Sequence, residues 1–123
     1  IAENVDEAYK SLEPVKHALI WPELLSQAGY DIKIDEEYQG LEYTKIMPGD
    51  QDMLRKFREM GEKYYSRDIV LDFVAAGSKA DVIKRLEEYV DAGVEHFIFR
   101  DFSPDKEKSF TLLSKDIAGY FRG

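Results

Sequence analysis

Cysteine is absent from all 123 residues, which excludes disulfides and thiolate metal ligands and fits a reducing cytoplasm. Long apolar runs are absent too. Nothing approaches the roughly 20 residues that a membrane-spanning helix needs, and no secretory apolar segment is present. Positive charge is short: 17 Lys and Arg stand against 25 Asp and Glu, a net charge of −8. That balance argues against nucleic acid or an anionic membrane as a partner, and the charges are interspersed as on a solvated surface. Asparagine occurs once and glutamine three times, beside many Glu and Lys, the bias of heat-adapted proteins. Histidine is limited to His17 and His96, too far apart and without a third ligand to suggest a metal. A chain that opens on Ile1 reads as a processed protein or a piece of a longer one.

The densest signal lies between Phe73 and Arg100. Phe73-Val74-Ala75-Ala76 is a short apolar run that breaks at Gly77. Ser78 and Asp81 then form a capping-box pattern, in which each side chain can satisfy an orphan backbone N–H of the other. Val82, Ile83, Leu86, Tyr89 and Val90 follow at helical spacing, and Gly93 sits where a left-handed residue closes a helix. Val94 to Phe99 is rich in β-branched and aromatic residues and reads as a buried strand. Two buried strands joined by one helix predict a parallel pair with a right-handed crossover, hence an α/β fold. Gly77-Ser78 and Arg100-Asp101-Phe102-Ser103 become the loops at the functional end of the sheet.

Elsewhere the pattern is helical. Asn4 and Glu7 open a helix carrying Val5, Ala8, Leu12, Val15 and Leu19, which Pro14 should kink or divide. Pro22 starts a short helix that Gly29 stops. Periodicity fades from Tyr30 to Gly49, where Ile32 and Ile34 alternate with charges and offer one more short strand. That excursion is too long for an ordinary connection. Asp50 caps a helix with Met53, Leu54, Phe57 and Met60 on its buried face, before Gly61 weakens it. Arg67 to Asp72 reads as a helical turn feeding the strand at Phe73. Ser103-Pro104 is the expected N-cap and first residue of a closing helix with Phe110, Leu113, Ile117 and Phe121 inward.

Phe73-Val74-Ala75-Ala76-Gly77-Ser78, Asp81-Val82-Ile83-Lys84-Arg85-Leu86 and Asp91-Ala92-Gly93-Val94-Glu95-His96-Phe97, in that order, resemble the C-terminal signature of the luciferase-like monooxygenase superfamily. The likeness is nearest to the branch that uses the deazaflavin coenzyme F-420, which includes methylenetetrahydromethanopterin reductases. It covers residues 67–121 well, 4–29 weakly, and 30–66 without specificity. The resemblance implies the C-terminal part of a (β/α)8 TIM barrel, helix-rich with two or three parallel strands. Residues 1–66 would be a helical region with the excursion at 30–49, and residues 67–123 the last two βα units. A whole barrel takes about 250 residues, so the residues facing the cofactor would lie elsewhere and this chain alone would be inactive.

Each candidate site residue has a plainer alternative. Gly77 and Ser78 stand at a helix N-terminus that favours an anion, unless Ser78 and Asp81 merely cap it. Arg100 ends the last strand and could grip a phosphate or carboxylate, or pair with Asp101 or Asp105. Asp101 could serve as an acid–base group or as that ion-pair partner. The resemblance adds Lys45 and Arg67 as basic residues for an anionic substrate. Trp21, Tyr38, Tyr43, Tyr64 and Tyr65 could line a flat pocket or pack beneath a loop.

The expected function is hydride transfer between coenzyme F-420 and a small organic substrate by the parent protein. The alternatives are an FMN-dependent monooxygenase of the same superfamily and a non-catalytic α/β module that associates with itself. A homo-oligomer is expected in either setting, since bare strand edges invite pairing.

Overall fold

The computed structural model describes residues 1–41 and 49–123. Helix α1 (Val5–Leu12) starts where the Asn4 side chain accepts a hydrogen bond from the Glu7 N–H at 2.9 Å. The chain then tightens into a 3-10 turn (Glu13–Ala18) across Pro14, which has no N–H to give. This is the division that the proline implied. The chain forms two compact units, one comprising Ile1–Glu13 with Ala75–Gly123 and the other Pro14–Val74.

In the Pro14–Val74 unit, α2 (Pro22–Gln27) begins with proline at its first position. Gly29, at φ +89°, ends it. A 3-10 turn (Glu36–Tyr38) precedes α3 (Gln51–Tyr64), which Asp50 caps through the Met53 N–H at 3.0 Å. α4 (Arg67–Phe73) follows under a Ser66 cap. Ile20, Leu25, Tyr38, Phe57, Met60, Tyr65 and Val70 are buried and form the core of this unit. α3 runs on through Gly61. A Cβ there would lie 2.8 Å from the His17 Cβ, so glycine permits the close approach of the 3-10 turn.

In the other unit, α5 (Lys79–Asp91) carries the capping box read from the sequence. Gly93, at φ +96°, closes it, with the Val94 N–H bonded back to the Tyr89 carbonyl. α6 (Lys106–Thr111), a π-helical stretch (Leu112–Ile117) and α7 (Ala118–Arg122) run on as one helix. Val82 and Leu86 of α5 bury against Ile117, with Ile83, Ala75, Phe97 and Leu113 partly buried around them.

The α/β expectation is corrected. Among the described residues every regular element is a helix, with no strand, no sheet and no barrel wall. Phe73 ends α4 because Ile69, Val70 and Phe73 share a helical face, Phe73 meeting the Tyr30 ring at 6.4 Å. Val74 is extended (φ −128°, ψ 155°) and residues 75–76 and 94–100 carry no helix, yet none of them joins a ladder. Apolar, β-branched composition makes a segment extended, but a strand also needs a partner backbone. Ile32 and Ile34 likewise alternate half-buried with exposed neighbours without forming a strand.

The closing helix also departs from expectation. Its N-cap is Asp105, which accepts from the Lys108 N–H at 3.0 Å, so the helix starts later than Ser103-Pro104 implied. Ile117 is buried and Leu113 half-buried, but Phe110 is 72% exposed and Phe121 lies outside the core. The π stretch widens the turn and breaks the 3.6-residue register on which that four-residue stripe depended.

Candidate functional site

Gly77 takes φ +131°, a backbone conformation that L side chains rarely adopt. This turn delivers Ser78 to the start of α5. The Ser78 N–H and hydroxyl each donate to Asp81 Oδ2 at 2.8 Å, and the Asp81 N–H donates to Ser78 Oγ at 3.3 Å. Those bonds, the hydroxyl's first, hold the Asp81 carboxyl below its ordinary value against a smaller upward effect of burial. The positive end of α5 therefore faces a resident carboxylate. Ser78 caps the helix, and the geometry gives it no free donor for a bound anion.

The second predicted loop folds around Asp101. Its Oδ1 accepts from the Ser103 N–H at 2.9 Å, an Asx turn that the Asp-x-Ser spacing could have disclosed. Ser103 and Ser109 are both buried, and their hydroxyls lie 3.0 Å apart. Burial pushes the Asp101 carboxyl up. Hydrogen bonds from the Ser103 hydroxyl and N–H and from Ser109, with the Lys106 charge, outweigh it and leave the group below its ordinary value. Asp101 is thus an ionised anchor for the turn, a role poorly matched to a proton donor near neutral pH. Sequence reasoning missed Ser109, whose burial follows only from the register of α6.

Arg100 is exposed, and its guanidinium sits 5.1 Å from the centre of the Phe102 ring. It forms no ion pair with Asp101 or Asp105 among the described residues. Lys106 approaches the same ring at 6.0 Å and donates from Nζ to the Asp101 carbonyl. Stacking of this kind contributes about 0.5–1 kcal/mol at an exposed site.

The two loops meet through the first residues of the chain. The Ala2 N–H donates to the Gly77 carbonyl at 2.9 Å, and the Ile1 amino group donates to Ser103 Oγ at 2.5 Å. Gly77, Ser78, Asp101 and Ser103 are thereby joined to one short segment. Arg67, the first residue of α4, belongs to the Pro14–Val74 unit, and Lys45 and Tyr43 lie outside the described residues.

A cavity of about 210 Å3 lies beside this segment, lined by Ala2, Glu3, Glu7, Asp105, Lys108 and Leu112 among others. Ligand pockets run to about 300–1,000 Å3, so this one is small for a flavin-sized ring system. Its charged walls are engaged already. Lys108 pairs with Glu3 at 3.4 Å, Glu7 with Lys10 at 2.7 Å, and Asp105 caps α6. Among the described residues no group of acidic and histidine side chains is arranged to hold a metal ion. His96 is exposed on the non-helical segment after α5, while burial and the Arg58 charge lower the pKa of His17.

Of the aromatic residues considered for a flat pocket, Tyr38 and Tyr65 are buried in the core of their unit. Tyr38 meets Tyr64 edge-on at 6.2 Å, which is core packing under the 3-10 turn. Trp21 is exposed at the N-terminus of α2. The Tyr65 hydroxyl is buried and has no hydrogen-bond partner among the described residues. No described helix is long and apolar enough to cross a membrane. No protein-family model, curated protein or solved structure matches the chain.

Proposed function

We propose that the chain contributes to an oxidoreductase of the luciferase-like superfamily that transfers a hydride between coenzyme F-420 and a small organic substrate. The observation that carries this reading is the local geometry of the residues on which the resemblance rests. Gly77 turns at φ +131°, Ser78 and Asp81 form a reciprocal cap, and Gly93 ends the helix at φ +96°. Each conserves a backbone need that other residue types meet poorly, so the Gly-Ser, Asp and Asp-Ala-Gly-Val positions act together as one loop–helix–loop device. In this reading the cofactor supplies the redox chemistry, and the protein binds and orients it.

In this reading other residues of the parent hold most of the cofactor: the cavity beside Ile1–Glu3 is small with paired charges, and the Asp101 and Asp81 carboxyls lie below their ordinary value, unsuited to proton donation near neutral pH. Arg100, exposed and stacked on Phe102, is the described site residue best suited to grip an anionic substrate group in the parent.

The test uses the complete product of the gene that encodes these residues, supplied in turn with F-420 and with FMN. Substrate-dependent bleaching of the oxidised deazaflavin is the expected outcome. Turnover with FMN alone, or a well-folded product that binds neither cofactor, overturns the reading.

A further inference from the structure

We infer that the 3-10 turn Glu13–Ala18 is an acid-sensitive clasp, closed on α3 while His17 is neutral and loosened when the His17 imidazole takes up a proton. The hold is a close approach of two backbones, and His17 and Gly61 both belong to the Pro14–Val74 unit. A Cβ added to Gly61 would lie 2.8 Å from the His17 Cβ, 3.0 Å from its Cα and 3.2 Å from its N. His17 is thus seated against α3 and half-buried there. No residue of the turn is fully buried, so a modest change at His17 can shift its local opening.

The seat is hostile to a second positive charge. A helix repeats its face every three to four residues. The neighbours of Gly61 on the face that meets His17 are therefore Phe57, Arg58, Tyr64 and Tyr65. Phe57 and Tyr65 are buried. Among the four, only Arg58 carries a charge near pH 6, and it has the sign of an imidazolium. Glu62, the residue after Gly61, stands about 100° further round the helix. The turn itself adds Lys16 beside His17 and Glu13 at its start. Burial, then the Arg58 charge, disfavours the protonated ring, and the Glu62 carboxylate offsets this only in part.

Linkage gives the direction of the response. With its folded pKa below the ordinary 6.5, His17 binds a proton more readily once the turn has left α3. The stability that neutral His17 lends the clasp is fully present above pH 6.5. It falls as the pH drops from 6.5 to the folded value, and below that value the loss is complete. Carboxylates are still largely ionised over the upper part of this window, so the response there belongs to histidine. The clasp does not depend on the redox reading.

The test follows the 123-residue chain by NMR from pH 7.5 to 5, reading the His17 ring and the exchange of the Leu19 amide. That amide donates to the Lys16 carbonyl at 3.1 Å and so reports on the turn. Only one other histidine, His96, is present, and it lies in the other unit, so His17 is assigned without ambiguity by its loss in His17→Gln. His17 should titrate below 6.5. Protection of the Leu19 amide, corrected for the intrinsic pH dependence of exchange, should fall in acid by about tenfold for each whole unit of that displacement. His17→Gln should hold its protection constant, and Arg58→Gln should reduce the loss. The ring titration and the exchange of the unmutated chain need no variant to fold. A His17 midpoint at or above 6.5, a Leu19 amide already unprotected at pH 7.5, or an equal loss of protection in His17→Gln would each overturn the inference.

Discussion

Replacing Gly77 by alanine should destabilise the chain more than any other single glycine change in its unit. Two costs add. An L side chain at φ +131° is strained by about 1–3 kcal/mol. The new Cβ would also lie 2.5 Å from Asp81 Oδ2, 2.8 Å from Asp81 Cβ and 2.9 Å from Asp81 Cγ. The carboxylate must move, and moving it breaks the reciprocal cap, a loss of about 1 kcal/mol. The sum is about 2–4 kcal/mol. Gly93→Ala is the matched control, because Gly93 also has positive φ but a Cβ there meets nothing within 4 Å. It carries strain without collision. Urea unfolding followed by circular dichroism gives both values, compared at constant m-value. If Gly77→Ala costs no more than Gly93→Ala, the collision with Asp81 is not real and the loop geometry assigned to Gly77-Ser78 is wrong.

Other perturbations test separate parts of the account. Ile117→Ala, at a fully buried position, should cost about 2–5 kcal/mol, whereas Phe110→Ala on the exposed side should change stability by less than about 0.5 kcal/mol; thermal melts of the two variants would contradict the π register if the order were reversed. Tyr65→Phe removes a buried hydroxyl without a partner and should leave urea stability unchanged or raise it by about 1 kcal/mol, so a loss of that size would reveal a partner. The Asp81 carboxyl titrates below its ordinary value of 3.8 in the folded chain, so the stability it contributes is present above pH 3.8 and is lost as pH falls through the folded value. Ser78→Ala removes the hydroxyl bond, the largest cause of this shift, and keeps the one from the backbone N–H. The stability gap between the two proteins should therefore narrow in acid, and a gap that widens there would contradict the cap.

What the sequence disclosed was local. Asn4, Asp50, the Ser78–Asp81 pair, Pro22, Gly29 and Gly93 each act on backbone groups within a few residues, and the structure uses all of them as expected. Strand pairing is not local. The composition of Val94–Phe99 favours strand, but a ladder depends on a partner that no short-range pattern supplies, and the segment carries no regular structure. Phe73 went astray because it satisfies both a short apolar run and the helical face of Ile69 and Val70. The closing helix was misphased because a π stretch leaves no mark in a pattern read at 3.6 residues per turn. At the candidate site, Ser78 as a cap was legible from side-chain type and spacing, whereas Asp101 was read as an acid–base group or an arginine's partner and instead accepts from the Ser103 N–H. The Arg100–Phe102 stack was less so, because a neighbouring carboxylate offered a simpler partner that the geometry does not use.

The account turns on residues 94–100 carrying no regular structure and, among the described residues, on Glu95 to Arg100 making no backbone–backbone hydrogen bond, while Phe97 packs beside α5. Amide hydrogen exchange followed by NMR reads this directly. The amides of residues 95–100 should exchange almost as fast as in an unfolded peptide, while those in the middle of α5 stay protected. Protection of residues 95–100 equal to that of α5 would mean that the segment is hydrogen-bonded, and would contradict the account.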